Sequence, residues 1–450
     1  VLKNANLQPQ TIFISFDFDE AKIATTSKLQ KYFTKKNRRL HHILDTQGNN
    51  LHLAPHFSRE LLMLIKLEQR LGNILLLTSL LMTLLFSPTY AQEQTLIQKT
   101  VKKFLSAESD STRGASLIVL PALGYAQETG VEYGIAGTYN FYLDKADPNS
   151  RTSNITLMGT LTTKKQKNIK LLTDIWTKDN DYHILSELRY RDWPFNFYGL
   201  GSDTWLADED FLEHQLTRAK VDVEKKIVSR WYAGVNVEYE NFRFNDREPG
   251  GVFEQPEVLG RKGGQYLALG VSSLYDTRNN TTYTTNGFYS RIKYAYAPRF
   301  WGDDNFVGSQ LEADVRGFHA LSSQITLAGQ VLYRGTFGEN VPFYAYRDLG
   351  GDMTMRGYYL GRYKDKNYAT AQLELRYRFI PRLGVVGFGG TGSTFSQQHD
   401  LRFVPSFGGG IRYFFSLEHN STIRFDYAFG EKRPGEKRQT GFYLSISEAF

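Results

Sequence analysis

Cysteine is absent from the 450-residue chain, so disulfide staples and thiolate metal ligands are excluded as sources of stability or chemistry. Long apolar runs are almost as scarce. Only residues 74–86 form one, well short of the roughly 20 residues that a membrane-spanning helix needs. Together with a mean hydropathy of −0.42, this excludes a bundle of transmembrane helices. A dominant charge is missing too: 54 basic and 47 acidic residues are dispersed over short segments, whereas a nucleic-acid surface needs clustering. What is plentiful is rigid or turn-forming, with 28 Tyr, 31 Phe and 39 Gly. Those are too many rings for a disordered polar chain. The balance describes a long all-β protein, polar on average and rich in aromatics.

The apolar run at 74–86 follows Lys66 and Arg70 and precedes Ser87-Pro88-Thr89-Tyr90-Ala91. A basic flank, a short apolar stretch and a cleavage-like site make a secretory signal peptide. Residues 63–91 are therefore expected to be that signal, starting at Met63 and processed after Ala91. Residues 1–62 show no sustained alternation and are expected to be a mis-called upstream extension. Their adjacent His41 and His42 lack a third ligand nearby, so no metal site is expected. In 92–115, Leu96, Ile97, Thr100, Val101, Phe104 and Leu105 share one stripe, with Lys99, Lys102 and Lys103 off it. That spacing predicts a periplasmic amphipathic helix and linker, suited to a membrane surface or to the mouth of the domain that follows; a frayed linker is the alternative.

From residue 116 to 450 the period becomes two. Ala369, Ala371, Leu373, Leu375, Tyr377 and Phe379 alternate with Thr370, Gln372, Glu374, Arg376 and Arg378. Leu311, Ala313 and Val315 alternate with Glu312, Asp314 and Arg316, and Ile423, Phe425 and Tyr427 with Thr422, Arg424 and Asp426. Polar faces that carry Glu and Arg together, opposite apolar faces edged by aromatics, fit strands with lipid outside and a charged lumen inside. Turn signals divide the region into sixteen strands, starting near Ser116, Val131, Ser153, Lys167, Tyr182, Phe211, Trp231, Gln265, Gly287, Val307, Gln324, Tyr368, Gly384, Arg402, Thr422 and Gly441. The expected fold is a 16-stranded antiparallel transmembrane β-barrel over residues 116–450, because only closure satisfies the backbone groups that lipid cannot. Short links such as Pro381-Arg382 read as periplasmic turns; 243–264 and 337–367 read as extracellular loops.

The longest informative loop holds Gly350-Gly351-Asp352-Met353-Thr354-Met355-Arg356-Gly357-Tyr358. It resembles the sixth-loop motif of the outer-membrane assembly and surface-antigen barrel family of BamA/TamA type. Further segments match in family order: 121–134, Tyr198-Gly199-Leu200-Gly201-Ser202, Asp276-Thr277-Arg278-Asn279 with Asn286-Gly287, the strand around Glu374, and Ile423-Arg424-Phe425-Asp426-Tyr427-Ala428 with Phe450. The resemblance implies that the loop folds into the lumen, with Met355, Arg356, Gly357 and Tyr358 as its motif and Glu374 as the first partner of Arg356. A bidentate carboxylate is the natural holder of such a guanidinium. Arg376, Arg378, Glu312, Asp314, Arg316 and Asp426 are the further lumenal charges expected. Two departures stand out. Phe388-Gly389-Gly390-Thr391-Gly392 offers no second acid, so the Arg356 network should be thin, and Glu448 stands where an apolar residue is expected. The family's POTRA domains find no room in residues 92–115, so the chain resembles a short subfamily lacking them.

The resemblance further implies a protein that inserts or translocates proteins, or lipids, at a lateral seam between first and last strands. Leu117, Val119, Leu444, Ile446, Glu448 and Phe450 would line it. A passive outer-membrane channel is the alternative, since a charged lumen also suits an aqueous pore. Enzymatic chemistry is not expected, because His183, His214, His319, His399 and His419 lie singly without a nucleophile motif. No cofactor, nucleic acid or small-molecule substrate is expected. The expected partners are outer-membrane lipid, including lipopolysaccharide, and client outer-membrane proteins, in a Gram-negative outer membrane.

Overall fold

A computed structural model describes residues 113–126, 130–246, 250–302 and 305–450. The upstream extension, the signal peptide and the amphipathic helix lie outside the described residues. Where the alternation begins, so do the strands. β1 (Ser116–Ala126), β2 (Gly130–Phe141), β3 (Ser153–Thr162), β4 (Lys167–Trp176) and β5 (Tyr182–Asp192) follow in turn, and β6 (Phe195–Phe197) prolongs the edge of β5 along β7 (Asp210–Val228). Next come β8 (Trp231–Asp246), β9 (Gly263–Asp276), β10 (Gly287–Ala297), β11 (Gly308–Ala320) and β12 (Ile325–Phe337). β13 (Arg347–Leu349) and β14 (Tyr363–Asp365) form a separate two-stranded ribbon. The wall resumes with β15 (Asn367–Ile380), β16 (Leu383–Phe395), β17 (Val404–Ser416), β18 (Ser421–Phe429) and β19 (Thr440–Ile446).

Among the described residues sixteen long strands make the wall, each within two residues of the start that alternation predicts. Each pairs antiparallel with its successor. The side-chain period of two sets the register. Across β12 and β15, Leu327 opposes Leu375 and Val331 opposes Ala371, all outward; Gln330 opposes Gln372 and Ala328 opposes Glu374, all inward. A slip of one residue would turn Glu374 out into lipid. The outer face carries exposed Leu157, Ile169, Val235, Val271, Ile292 and Leu373, the apolar band of a membrane barrel.

The sheet curls until β1 and β19 lie side by side, with no ladder between them among the described residues. At one end the strands are joined by short turns such as 229–230, 381–382 and 417–420; at the other lie the long connections 247–262 and 338–366. The interior is not simply wet. The 338–366 connection enters it, and Leu349, Met355, Tyr358 and Tyr363 pack with Leu332, Tyr368 and Val404 from the wall. A second apolar cap, built on Phe197, Leu212, Phe253, Val258 and Phe343, joins that connection to those after β6 and β8.

Candidate functional site

Inside the barrel the 338–366 loop presents its motif to the wall formed by β15 to β19. Met355, Arg356 and Tyr358 are each 1% exposed. Gly357 adopts φ +98° with its α-carbon against the backbone of Phe429 and Gly430, where a side chain would collide. Only glycine relieves both constraints at once. The turn it makes is pinned by three bonds to β17 and β19: the Ser406 hydroxyl donates to the Arg356 carbonyl (2.5 Å), the Gly357 amide to the Tyr443 hydroxyl (2.9 Å), and the Tyr358 hydroxyl to the Pro405 carbonyl (2.6 Å).

The structure brings Arg356 and Glu374 together, Nη2 to Oε1 at 2.5 Å. A second carboxylate, Asp426 on β18, lies 2.7 Å from Nη1. The guanidinium sits over the Phe388 ring, 3.5 Å from its centroid, which adds a cation–π contact. The network is therefore not thin, contrary to the reading of the β16 segment. The sequence contains the second acid, but two strands further along the wall than expected, and the curvature of the barrel brings it back within reach. Phe388 supplies a ring face and Asp426 the charge.

Other anticipated charges fall into separate groups. Arg376 joins the same cluster through Glu374, at 2.8 Å. Asp314 pairs with Arg316 and accepts from the Gln330 amide (2.8 Å), and Glu312 pairs with Arg334 (2.7 Å), on the β11–β12 wall. Arg378 is not deep in the lumen. It lies at the turn-end rim, donating to the Pro381 carbonyl and to Asn420 and covering the Phe414 ring, because it stands near the end of β15, where the strand leaves the barrel.

Leu117 (67% exposed), Val119 (58%) and Leu444 (39%) face outward on the two seam strands, and Ile446 ends the β18–β19 ladder opposite Ile423. Glu448 and Phe450 do not line the seam. Ser447 takes φ +79°, and residues 448–450 turn into the barrel. There Arg412 Nε holds Glu448 Oε2 (2.7 Å), the Thr422 hydroxyl donates to Oε1 (2.9 Å), and Phe450 packs with Phe318, Ala328 and Ala449. A carboxylate beside lipid is costly; turned inward it meets a guanidinium. Sequence reasoning missed Arg412, Arg424, Asp352 and Tyr443 as parts of the site. Alternation placed Arg424 on the polar face, but the partners of the two arginines come in part from a loop and from an inturned segment that no period marks. Asp352 is one such partner, held by Arg424 at 2.8 Å.

The family model described as the Omp85 superfamily domain matches residues 123–450. The chain belongs to the Omp85 superfamily. This is a family of outer-membrane β-barrels with protein insertion or secretion as its general role. Among solved structures the Omp85 chain is similar to BamA from Haemophilus ducreyi lacking POTRA domains 1–3, at 16% identity and TM-score 0.47, covering 74% of this chain and 70% of that one. It is similar as well to CdiB from Acinetobacter baumannii, at 12% identity and TM-score 0.46 over 80% and 69%, and to CdiB from Escherichia coli, at 8% and 0.48 over 74% and 62%. No curated protein matches the chain.

Proposed function

We propose that this Omp85 chain helps client polypeptides enter or cross the outer membrane at the seam between β1 and β19. One observation carries the reading: the two strands lie side by side without a ladder among the described residues. β19 is also seven residues long against eleven for β1, since the chain turns inward at Ser447. Backbone groups along such an edge can receive an incoming strand by β-augmentation. The partners are lipid of the membrane and unfolded outer-membrane barrels; no covalent chemistry is assigned.

The test uses the absence of cysteine. Leu117→Cys and Leu444→Cys, joined by a bifunctional maleimide, lock the seam. Full-length protein in lipid vesicles is then mixed with a urea-unfolded eight-stranded barrel, and insertion is followed by the client's heat-resistant mobility. The unlocked protein should accelerate insertion and the locked one should not. Equal acceleration by both would remove the seam from the mechanism, and a large, stable single-channel conductance without acceleration would favour a passive pore.

A further inference from the structure

Two chains of buried ion pairs run from the loop to the inturned segment after β19. The first passes from Arg356 Nη1 to Asp426 Oδ2 (2.7 Å), from Asp426 Oδ1 to Arg412 Nη1 (2.6 Å) and from Arg412 Nε to Glu448 Oε2 (2.7 Å). The second passes from Arg356 Nη2 to Glu374 Oε1 (2.5 Å), from Glu374 Oε2 to Arg376 (2.8 Å) and from Arg376 Nη2 to the main-chain oxygen of Phe450 (3.1 Å). The side chains of all six ionic groups are at most 3% exposed. Three guanidiniums face three carboxylates along the relays, and a fourth, Arg424, touches Asp426 (3.2 Å) and is paired with Asp352 of the loop (2.8 Å). Space for the first chain is provided by Gly410, where a Cβ would stand 1.9 Å from Asp426 Oδ1.

We propose that the tucked loop and the inturned segment form a single lock, each held in place by the other through these two relays. The physical reason is charge balance. Withdrawing Glu448 leaves Arg412 to compete with Arg356 and Arg424 for Asp426, and withdrawing Arg356 leaves Glu374 with Arg376 alone while Asp426 keeps only Arg412 and Arg424. A buried charge without its partner is costly, so neither segment leaves without weakening the hold on the other. Arg412 and Arg376 are then positioning residues that transmit the state of the loop to the end of the last strand. When the loop departs, residues 447–450 are released toward the seam, and the edge available beside β1 changes length. This last consequence rests on the seam reading above; the coupling itself does not.

The experiment reads coupling without a client, so its outcome is separable from any test of insertion. Single reporters are placed at buried positions, Met355→Cys in the loop and Ala449→Cys in the inturned segment, in the otherwise cysteine-free full chain. Labelling by a polar maleimide is timed in folded protein, identified by its compact heat-modifiable band. Glu448→Gln should speed labelling of Met355→Cys by about tenfold or more, and Arg356→Gln should do the same for Ala449→Cys, as expected for strongly coupled sites. Arg334→Gln, which breaks a lumenal pair outside the relays, should change neither. If each variant exposes only its own segment, the lock is overturned. Should Glu448→Gln or Arg356→Gln not fold, Thr422→Val removes only the hydroxyl bond to Glu448 and must still speed loop labelling, by about two- to threefold; an unchanged rate there overturns the proposal equally.

Discussion

Asp426 shows how much one residue can depend on its surroundings. Its carboxylate, with no exposed surface, meets Arg356, Arg412 and Arg424. Asp426→Asn should therefore leave uncompensated cations in the interior, at a cost of about 3–5 kcal/mol. Glu312→Gln breaks a pair whose side chains are 38% and 31% exposed, where solvent screens the loss to at most about 1 kcal/mol. Urea unfolding in detergent micelles checks both, and equal losses for the two would show that burial does not set the value of the network. Arginine is required here for its shape as well as its charge. Arg356 divides its two terminal nitrogens between acids on different strands while lying flat on Phe388, and a lysine could not do both.

At the scale of elements, the loops decide how firmly the mouth is shut. Arg433, in the 430–439 connection, bonds Asp203 (2.7 Å) and the Thr204 carbonyl (2.8 Å) and covers the Trp205 ring. The neighbouring Glu436 accepts from the Leu206 amide (2.6 Å). The connection that leads into β19 is thereby clasped across the mouth to the one before β7. A second tie is sensitive to pH. His399 Nδ1 stands 2.8 Å from Asp365 Oδ2, and that hydrogen bond raises the imidazole above its ordinary value, although partial burial opposes it. A raised value in the folded state means that the tie stabilises fully below the unfolded value near 6.5 and fades as pH rises through the folded one. His399→Ala should cost at most about 1 kcal/mol at pH 5.5, since the ring is partly exposed, and less at pH 9. Protease cleavage within 396–403, timed for both proteins across that range, is the measure; a constant difference would contradict it.

For the whole molecule the weak line is the seam, and the structure ties the two halves of the wall across it by other means. Tyr142, just after β2, stacks on His419 in the β17–β18 turn, with ring centroids 5.3 Å apart, and Arg113 lies over the same tyrosine. With the Arg433 clasp at the opposite end, the barrel is held at both rims, while between them β1 and β19 form no ladder among the described residues. Spin labels at Val119→Cys and Leu444→Cys should report one narrow distance in the parent protein. With His419→Ala and Arg433→Ala combined, a longer and broader population should appear, at a loss of roughly 1–2 kcal/mol of closure from the stacking, cation–π and charged hydrogen bonds removed. An unchanged distribution would mean that other contacts hold the seam.

The sequence by itself determined the fold class, the strand count and the strand starts. In a barrel between lipid and lumen, each residue's environment alternates with period two, and local pattern suffices to read it. It also put Glu374 and Asp426 on the polar side, and the resemblance of the loop motif implied a lumenal Arg356. Apart from Glu374, which the resemblance implied, the partners of Arg356 were decided by tertiary structure. Whether Asp426 meets Arg356 depends on wall curvature and on how deep the loop descends, neither of which leaves a periodic trace. Glu448 is the sharpest case. By alternation it belongs to the last strand beside lipid; a left-handed turn at Ser447 and a waiting Arg412 place it inside instead, because burial beside a guanidinium costs a carboxylate far less than hydrocarbon does.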